Sequence, residues 1–283
     1  MPEGVDTQEG LQHTPEAREN AGLRMDFKID NNHLIGWTLW GVEESRFSSE
    51  KNREDLIALQ NYARGESERD YGYMVRKISP EQFFAQGGTM EEVTGFLAKI
   101  ERSDEFEKIR QQTEAYMEGV KAEWERNYPQ TSKAVEQMTG FDLNKQITVN
   151  MTHPSLRNGM YMGNDTITWG HTAEWDNYDT VYLWHEVLHS YLDRSDLSHA
   201  LIQFIADNEL RVRLNAGETY PPFEGHKNLF PLMEMVLPHW RSYLAEASEE
   251  GDLAEFEKKL GAMPEFQGKV QEETPNTQVI DES

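Results

Sequence analysis

Two histidines four positions apart, with a glutamate directly after the first, form the pattern in this chain that could most plainly do chemistry. They are His185, Glu186 and His189. On a helix, residues four apart lie on one face, so both imidazoles can bind one small metal ion at about 2.0–2.1 Å. Glu186 projects roughly 100° around the helix from His185, where it can hold a water molecule. The pattern predicts two zinc ligands and a general base.

A catalytic zinc site also needs a third protein ligand and an open fourth position. Glu209 lies on the next predicted helix, and a helix–loop–helix hairpin of this length can return its carboxylate to the metal. Its neighbour Asn208 interrupts an apolar stripe, so we expect it to be buried, where its amide could orient a ligand histidine. The alternative is a chance motif, with two ordinary helix histidines and a solvated Glu209.

Taken together, His185-Glu186-x-x-His189, Asp193 and Asn208-Glu209 resemble the gluzincin metallopeptidases, those like thermolysin in particular. The resemblance implies that His185, His189 and Glu209 bind Zn²⁺, that Glu186 is general base and proton shuttle, and that Asn208 supports a ligand. It also implies a zincin-like α+β fold, mostly helical, with a small sheet preceding the active-site helix.

The sequence departs from that family at one supporting position and fits the related families less well. Arg213 stands where the thermolysin-like pattern has an Asp that supports the first histidine, so the partner of His185 is left open. The metzincin pattern requires Gly and His where this chain has Leu192 and Ser195. The motif of the aminopeptidase branch is absent from residues 164–168.

The oxyanion of a tetrahedral intermediate needs a hydrogen-bond donor. Candidates after the ligand helix are His226 and Tyr220, of which His226 is preferred; the alternative for His226 is an ordinary loop residue. No spacing argument makes ligands of His171 or His199. The remaining candidates, His153 and His239, are expected to be surface or core residues.

Zinc would acidify its bound water, and Glu186 would pass that proton to the leaving amine. The sequence therefore predicts a zinc-dependent hydrolase, a peptidase acting on a peptide or protein substrate. A second hypothesis is a non-catalytic zinc-binding or scaffold protein on a zincin fold, and the intact Glu186 favours the enzyme. The type of peptidase also predicts export: secreted, periplasmic or at the cell surface, with a signal peptide outside this chain.

Composition excludes several other classes. The chain has 283 residues, no cysteine and a net charge of -24. Because nucleic-acid binding needs clustered Lys and Arg, we expect no nucleic-acid partner. Without cysteine, disulfides, Cys-ligated zinc and thiol nucleophiles are excluded. No apolar run reaches the length of a membrane span.

The elements that must position these residues begin with a predicted strand over residues 33–40. Capping boxes at Ser79 and Thr89 predict two helices, and Ser103 starts a long one that should stop at Pro129. A short helix over residues 132–139 should then end at Gly140.

The second half of the chain is predicted to hold the sheet and the helices of the site. Strands are expected at residues 146–151, 160–162 and 166–169. The last one is either the edge strand beside the active helix, which the gluzincin resemblance implies would pair with a peptide substrate, or an ordinary hairpin strand. Helices should follow over residues 178–192 and 197–215, then a stretch over 228–247 broken at Pro231 and Pro238.

The predicted organisation is a flexible leader (1–24), one catalytic domain (25–262) and a flexible acidic tail (263–283). Within the domain, a helical portion spans about 25–145 and a metal-site portion about 146–262.

Overall fold

The computed structural model describes residues 22–216, 220, 222–246 and 251–267, and within them the chain is α+β. The sheet of this part has the strand order β1-β2-β4-β3. The first three run parallel: β1 (Arg24–Lys28), β2 (Gln146–Met151) and β4 (Thr166–Gly170). The last, β3 (Asn158–Gly163), is antiparallel to β4 and forms one edge of the sheet.

Three predicted strands are confirmed, but one of them does not lie at the edge of the sheet. Residues 166–169 belong to β4, which lies between β2 and β3, so the prediction that they form the edge was wrong. The turn between β3 and β4 has positive φ at Asn164 and Asp165, 50° and 51°. Asn and Asp tolerate this left-handed conformation, which is why the turn signal was readable.

The domain extends a few residues beyond both predicted boundaries. Leu23 is buried, and Arg24, the last residue of the predicted leader, already begins β1 and pairs with Gln146 of β2. At the other end, Phe266 is fully buried in the core, inside the predicted tail. The rest of the predicted leader and tail, residues 1–21 and 268–283, lies outside the described residues.

The strand predicted over residues 33–40 is instead the helix α1 (Asn31–Glu43). The side chain of Asp30 accepts a hydrogen bond from the backbone N–H of His33, which caps the helix. The buried positions recur at helical spacing; they are Leu34, Ile35, Thr38, Leu39, Gly41 and Val42. The several apolar residues of this stretch thus form one helical face rather than the alternation of a strand.

Four further helices complete the N-terminal layer: α2 (Arg53–Glu66), α3 (Glu68–Met74), α4 (Pro80–Ala85) and α5 (Met90–Glu101). Both predicted capping boxes are confirmed, at Ser79 and Thr89. The following α6 (Asp104–Thr139) is capped by Ser103 and runs through Pro129 without a break until Gly140. The predicted stop was wrong; beyond Pro129 the helix stays packed in the core, where Thr131 accepts a hydrogen bond from Nε1 of Trp184.

The helices of the candidate site follow the sheet. They are α7 (Tyr178–Leu188), α8 (Asp196–Gln203), a π-helical segment (Phe204–Leu210) and α9 (Arg211–Asn215). Thus α7 ends earlier than predicted, and a π-helical segment separates α8 from α9. A 3-10 turn (Lys227–Leu229), α10 (Phe230–Glu246), α11 (Leu253–Gly261) and a second 3-10 turn (Pro264–Phe266) complete the described chain. The predicted break at Pro238 does not occur, because α10 continues through it.

The buried apolar residues of the described chain form two clusters. One packs α1, α2, α3, α5 and the first part of α6 together. The larger one joins the sheet to α7, α8, the π-helical segment, α10 and the second part of α6. The candidate site belongs to the larger cluster, whose helices hold its side chains in place. Among the described helices, none is both long and apolar enough to cross a lipid bilayer.

Candidate metal centre

Three histidines from three different elements meet at one point. His185 comes from α7, His199 from α8 and His226 from the loop before α10. Each offers one ring nitrogen, and these nitrogens lie within 4.8 Å of one another, close enough to hold one metal ion. Imidazole nitrogens suit zinc, copper, iron and nickel, so the cluster by itself does not select the metal.

The hydrogen bonds of His185 leave its Nε2 available as a ligand. Its Nδ1 lies 3.1 Å from Oδ2 of Asp207, and a carboxylate there accepts a hydrogen bond from Nδ1–H. The Nε2 atom then carries a lone pair, and it lies 3.1 Å from Nε2 of His199. A carboxylate behind a histidine in this way is the usual support of a metal-binding imidazole. Asp207 is therefore the partner of His185 that the sequence left open.

His189 lies beside this cluster as a fourth imidazole. Its ring centroid is 5.1 Å from that of His185 and 4.9 Å from that of His199. It is the C-cap residue of α7, directly after the last helical residue. Both histidines of the predicted motif are thus near the cluster, but His199 and His226 complete the three-residue group with His185.

Glu209, the predicted third ligand, is held elsewhere. Its carboxylate accepts a hydrogen bond from the hydroxyl of Tyr220 and lies 3.4 Å from Nε of Arg213. The cause is the π-helical segment, whose bonds close from i to i+5 and so turn less per residue than an α-helix. Within that segment Asp207 is the acidic residue that contacts His185, two positions before Glu209.

A glycine lets the loop of His226 approach the cluster closely. Gly225 has φ +92°, which glycine adopts without strain, and a Cβ placed there would collide with Oδ2 of Asp207. The same Cβ would stand 3.1 Å from Nε2 of Gln203. One residue earlier, Glu224 lies 3.3 Å from Nη1 of Arg211, which ties the loop to α9. These contacts position His226.

Glu186 faces the edge strand β3. Its Oε1 lies 3.7 Å from the point that a Cβ of Gly159 would occupy, and its carboxyl group is hydrogen-bonded to the backbone of Tyr161. The side chain is buried, and burial raises the pKa of Glu186 to about 8, with a smaller contribution from the charge of Asp207. The predicted base thus lies between the histidine helix and the strand at the edge of the sheet.

The imidazoles of the cluster are neutral at neutral pH. Burial lowers the pKa of His185 to about 3 and, together with the neighbouring His185, that of His226 to about 4. Burial and the other histidines shift the pKa of His199 and of His189 in the same direction. Neutral imidazole is the form that binds metal ions.

The other residues singled out by the sequence have local roles. Asn208 is buried as predicted, but its amide donates to the carbonyl of Gln203 rather than to a histidine. Asp193 accepts hydrogen bonds from the backbone of Ser195 and the hydroxyl of Ser198, at the start of α8.

Tyr220 and His226, the two predicted transition-state donors, have different surroundings in the structure. The hydroxyl of Tyr220 is engaged with Glu209 and with Nε1 of Trp240, 3.0 Å away. His226 belongs to the three-histidine group itself. His226 thus lies among the residues close enough to hold a metal ion.

Sequence reasoning missed His199 and Asp207. A helix start was readable at Ser195, whose side chain caps α8, and this places His199 in the first turns of that helix. Asp207 directly follows the apolar residues 204–206, and an acidic residue that is buried beside them needs a partner. Neither signal reveals the π-helical geometry or the return of the loop that carries His226.

Comparison with protein-family models, with curated proteins and with solved structures gave no match to this chain. The functional argument therefore depends on the chemistry of the site.

Proposed function

We propose that this protein is a zinc-dependent hydrolase that cleaves peptide bonds. The observation that carries the proposal is the convergence of three neutral imidazoles, with ligand atoms within 4.8 Å of one another, together with a buried carboxyl group, Glu186, directly after His185 on α7. A purely structural site has no use for that carboxyl group, so Glu186 favours an enzyme over a scaffold.

The donor set fits zinc. Three histidines with a position left for water are a common ligand set of catalytic zinc sites, and the Asp207–His185 pair supplies the expected carboxylate support. In this proposal His185, His199 and His226 hold the ion, with His189 as a neighbouring imidazole. This differs from the set of His185, His189 and Glu209 that the gluzincin resemblance implies.

Bound zinc supplies an acidified water and a polarised carbonyl. The remaining chemistry belongs to Glu186, which in its ionised form would take a proton from the attacking water and return it to the leaving amine. Its contact with the backbone of Tyr161 fixes the carboxyl group beside β3. An extended peptide lying along that edge strand would bring its scissile bond to the same carboxyl group.

The test of the ligand set is metal content measured by mass spectrometry on protein purified without added metal. We expect about one zinc per chain in the wild type, a strong loss in His199→Ala and in His226→Ala, and retention in Glu209→Ala. His239→Ala, which changes a histidine packed against Phe266, serves as the control. Zinc lost from Glu209→Ala and kept by His199→Ala would restore the ligand set implied by the resemblance.

The test of catalysis is hydrolysis of an unfolded protein by wild type and Glu186→Gln. The variant should keep its zinc and lose activity by about 10²–10⁴-fold, because it retains the ligands and lacks the base. Zinc-loaded wild type that cuts no peptide would overturn the peptidase and leave the zinc-binding scaffold. Export stays a prediction from the type of peptidase.

A further inference from the structure

A cavity of about 380 Å³ lies beside the edge strand, on the side of the sheet away from Glu186. Its lining is mainly aromatic and rich in thioethers, with the guanidinium of Arg76 and, on α1, the polar side chains of Asn32 and His33; the apolar members are Trp37, Trp40, Met74, Met160 and Met162. The described residues that line it include no acidic side chain, although the whole chain carries a net charge of -24.

The pleat of β3 places this cavity and Glu186 on opposite faces of one strand. Gly159 and Tyr161 pair with Trp169 and Ile167, which are buried in the core beneath α7. Met160 pairs with Thr168, whose hydroxyl bonds to Nε2 of His33 on α1. Successive residues of a strand point to opposite faces, so Met160 faces α1. The register shifts between Tyr161 and Gly163, and Met162 within this irregularity lines the cavity together with residues of α1.

A peptide extended along β3 would have the same alternation. Every second side chain would point towards α1 and over the cavity, and the others towards α7. Among the described residues no strand pairs with the outer side of β3, and the carboxyl group of Glu186 is hydrogen-bonded to the β3 backbone at Tyr161. The cavity is therefore within reach of a substrate held for cleavage.

We propose that this cavity binds a large apolar side chain of the peptide substrate, an aromatic one or a methionine. The proposal rests on the proposed function and adds a substrate class to it. The indole rings of Trp37 and Trp40 meet edge to face, with centroids 5.1 Å apart, and offer aromatic contact. Unbranched methionines adapt to different apolar shapes. Arg76 and the missing acidic groups disfavour a lysine or arginine side chain.

The first arm of the test maps cleavage sites by mass spectrometry after digestion of a mixture of unfolded proteins. Wild type should favour large apolar residues at one position relative to the cut, by about tenfold over lysine. Met162→Glu should remove most of that preference while cutting continues. Met162 is 47% exposed, so the change should be tolerated, and Met235→Glu is the matched control because Met235 is 44% exposed on α10.

The second arm measures binding without cleavage. Fluorescein-labelled peptides that differ only in carrying Phe or Lys at that position are titrated by anisotropy against zinc-loaded Glu186→Gln, with and without Met162→Glu. If the wild type cuts no protein, every register of Phe along the peptide is tried. We expect the Phe peptide to bind about tenfold more tightly, and the preference to vanish with Met162→Glu.

The outcomes separate the two proposals. A preference that survives both Met162→Glu and Trp37→Leu overturns the cavity and leaves the peptidase standing. Selective binding that depends on Met162, with no cleavage by the zinc-loaded wild type, overturns the peptidase and leaves the cavity as a peptide-binding site. Neither binding nor cleavage of any peptide overturns both.

Discussion

Glu43 in the N-terminal helical layer and Glu186 beside the histidine cluster are both largely buried carboxyl groups, yet their pKa values move in opposite directions. Burial opposes ionisation at Glu43, but hydrogen bonds from Lys77, Tyr71 and Arg64 lower its pKa to about 2. At Glu186 burial prevails and raises the pKa to about 8. The chain thus provides cations for the first carboxyl group and no comparable set for the second.

Two buried glutamines, one in each region, also differ in whether their side-chain amides are hydrogen-bonded. Gln60 donates to Tyr71 and to Glu43, at 2.7 and 3.2 Å. Gln203, packed against the loop of His226, has a buried side-chain amide with no hydrogen-bond partner among the described residues. Unpaired buried polar groups cost stability, and proteins retain them mainly at functional sites. Thr38 Oγ1 and Arg64 Nε of the N-terminal layer also lack a hydrogen-bond partner among the described residues, so this contrast concerns the two glutamines and not every polar group.

The largest effect that separates the two regions should follow Asp207→Asn. The variant loses the charge-assisted hydrogen bond to Nδ1 of His185, and we expect zinc affinity to fall about 10–100-fold. Affinity is measured by competition with a chromophoric chelator.

Asp193→Asn is the control for that measurement, because Asp193 contacts Ser195 and Ser198 rather than a histidine. Equal losses of zinc affinity in both variants would show that Asp207 does not support zinc binding specifically through His185.

The next largest effect is expected at Glu43, whose negative charge is compensated by Arg64 and Lys77. Glu43→Gln removes the charge that faces Arg64 and Lys77, and should lower the free energy of unfolding by about 1–3 kcal/mol. Zinc content should not change, since the histidine cluster belongs to the other core. Urea unfolding compares the variant with Glu44→Gln, an exposed neighbour that should stay within about 0.5 kcal/mol of wild type.

The stabilisation by Glu43 should disappear in acid. Its folded-state pKa is lowered from an ordinary 4.5 to about 2. Stability from this group is therefore complete above pH 4.5 and is lost as the pH falls through about 2. Unfolding of wild type and Glu43→Gln, measured at pH values from 6 downwards, should converge in that window. A difference that grows towards low pH would contradict the assignment.

Much of the fold was readable because its signals are local. The capping boxes at Ser79 and Thr89 and the alternation of β2 depend on a few neighbouring residues, and all three are confirmed. The strand prediction at α1 was wrong because it depended on the apolar residues Trp37, Leu39 and Trp40, whereas the N-cap at Asp30 starts a helix. Pro129 was read as a stop because the packing that holds the second part of α6 is not local.

The site was readable only as far as the helix that carries the motif. His185, Glu186 and His189 depend on helical spacing alone. His199 and Asp207 depend on how α8 and the π-helical segment cross α7, and His226 depends on the close approach allowed by Gly225. Such tertiary relations have no signature at fixed sequence spacing. The sequence therefore predicts Glu209 as the third ligand and gives no sign of His199 or His226 as ligands.

The smallest effect, and the most direct test of the comparison, is a pair of Gln→Met substitutions of similar size. Gln60→Met removes a donor from Glu43 and Tyr71, and should lower the free energy of unfolding by about 1 kcal/mol. Gln203→Met replaces an unpartnered buried amide with an apolar side chain, and should raise it by about as much in zinc-free protein. Both are measured by urea unfolding in the presence of a chelator. A loss of stability in both variants would mean that the amide of Gln203 is well paired in solution. The two regions would then differ less than the pKa values of Glu43 and Glu186 indicate.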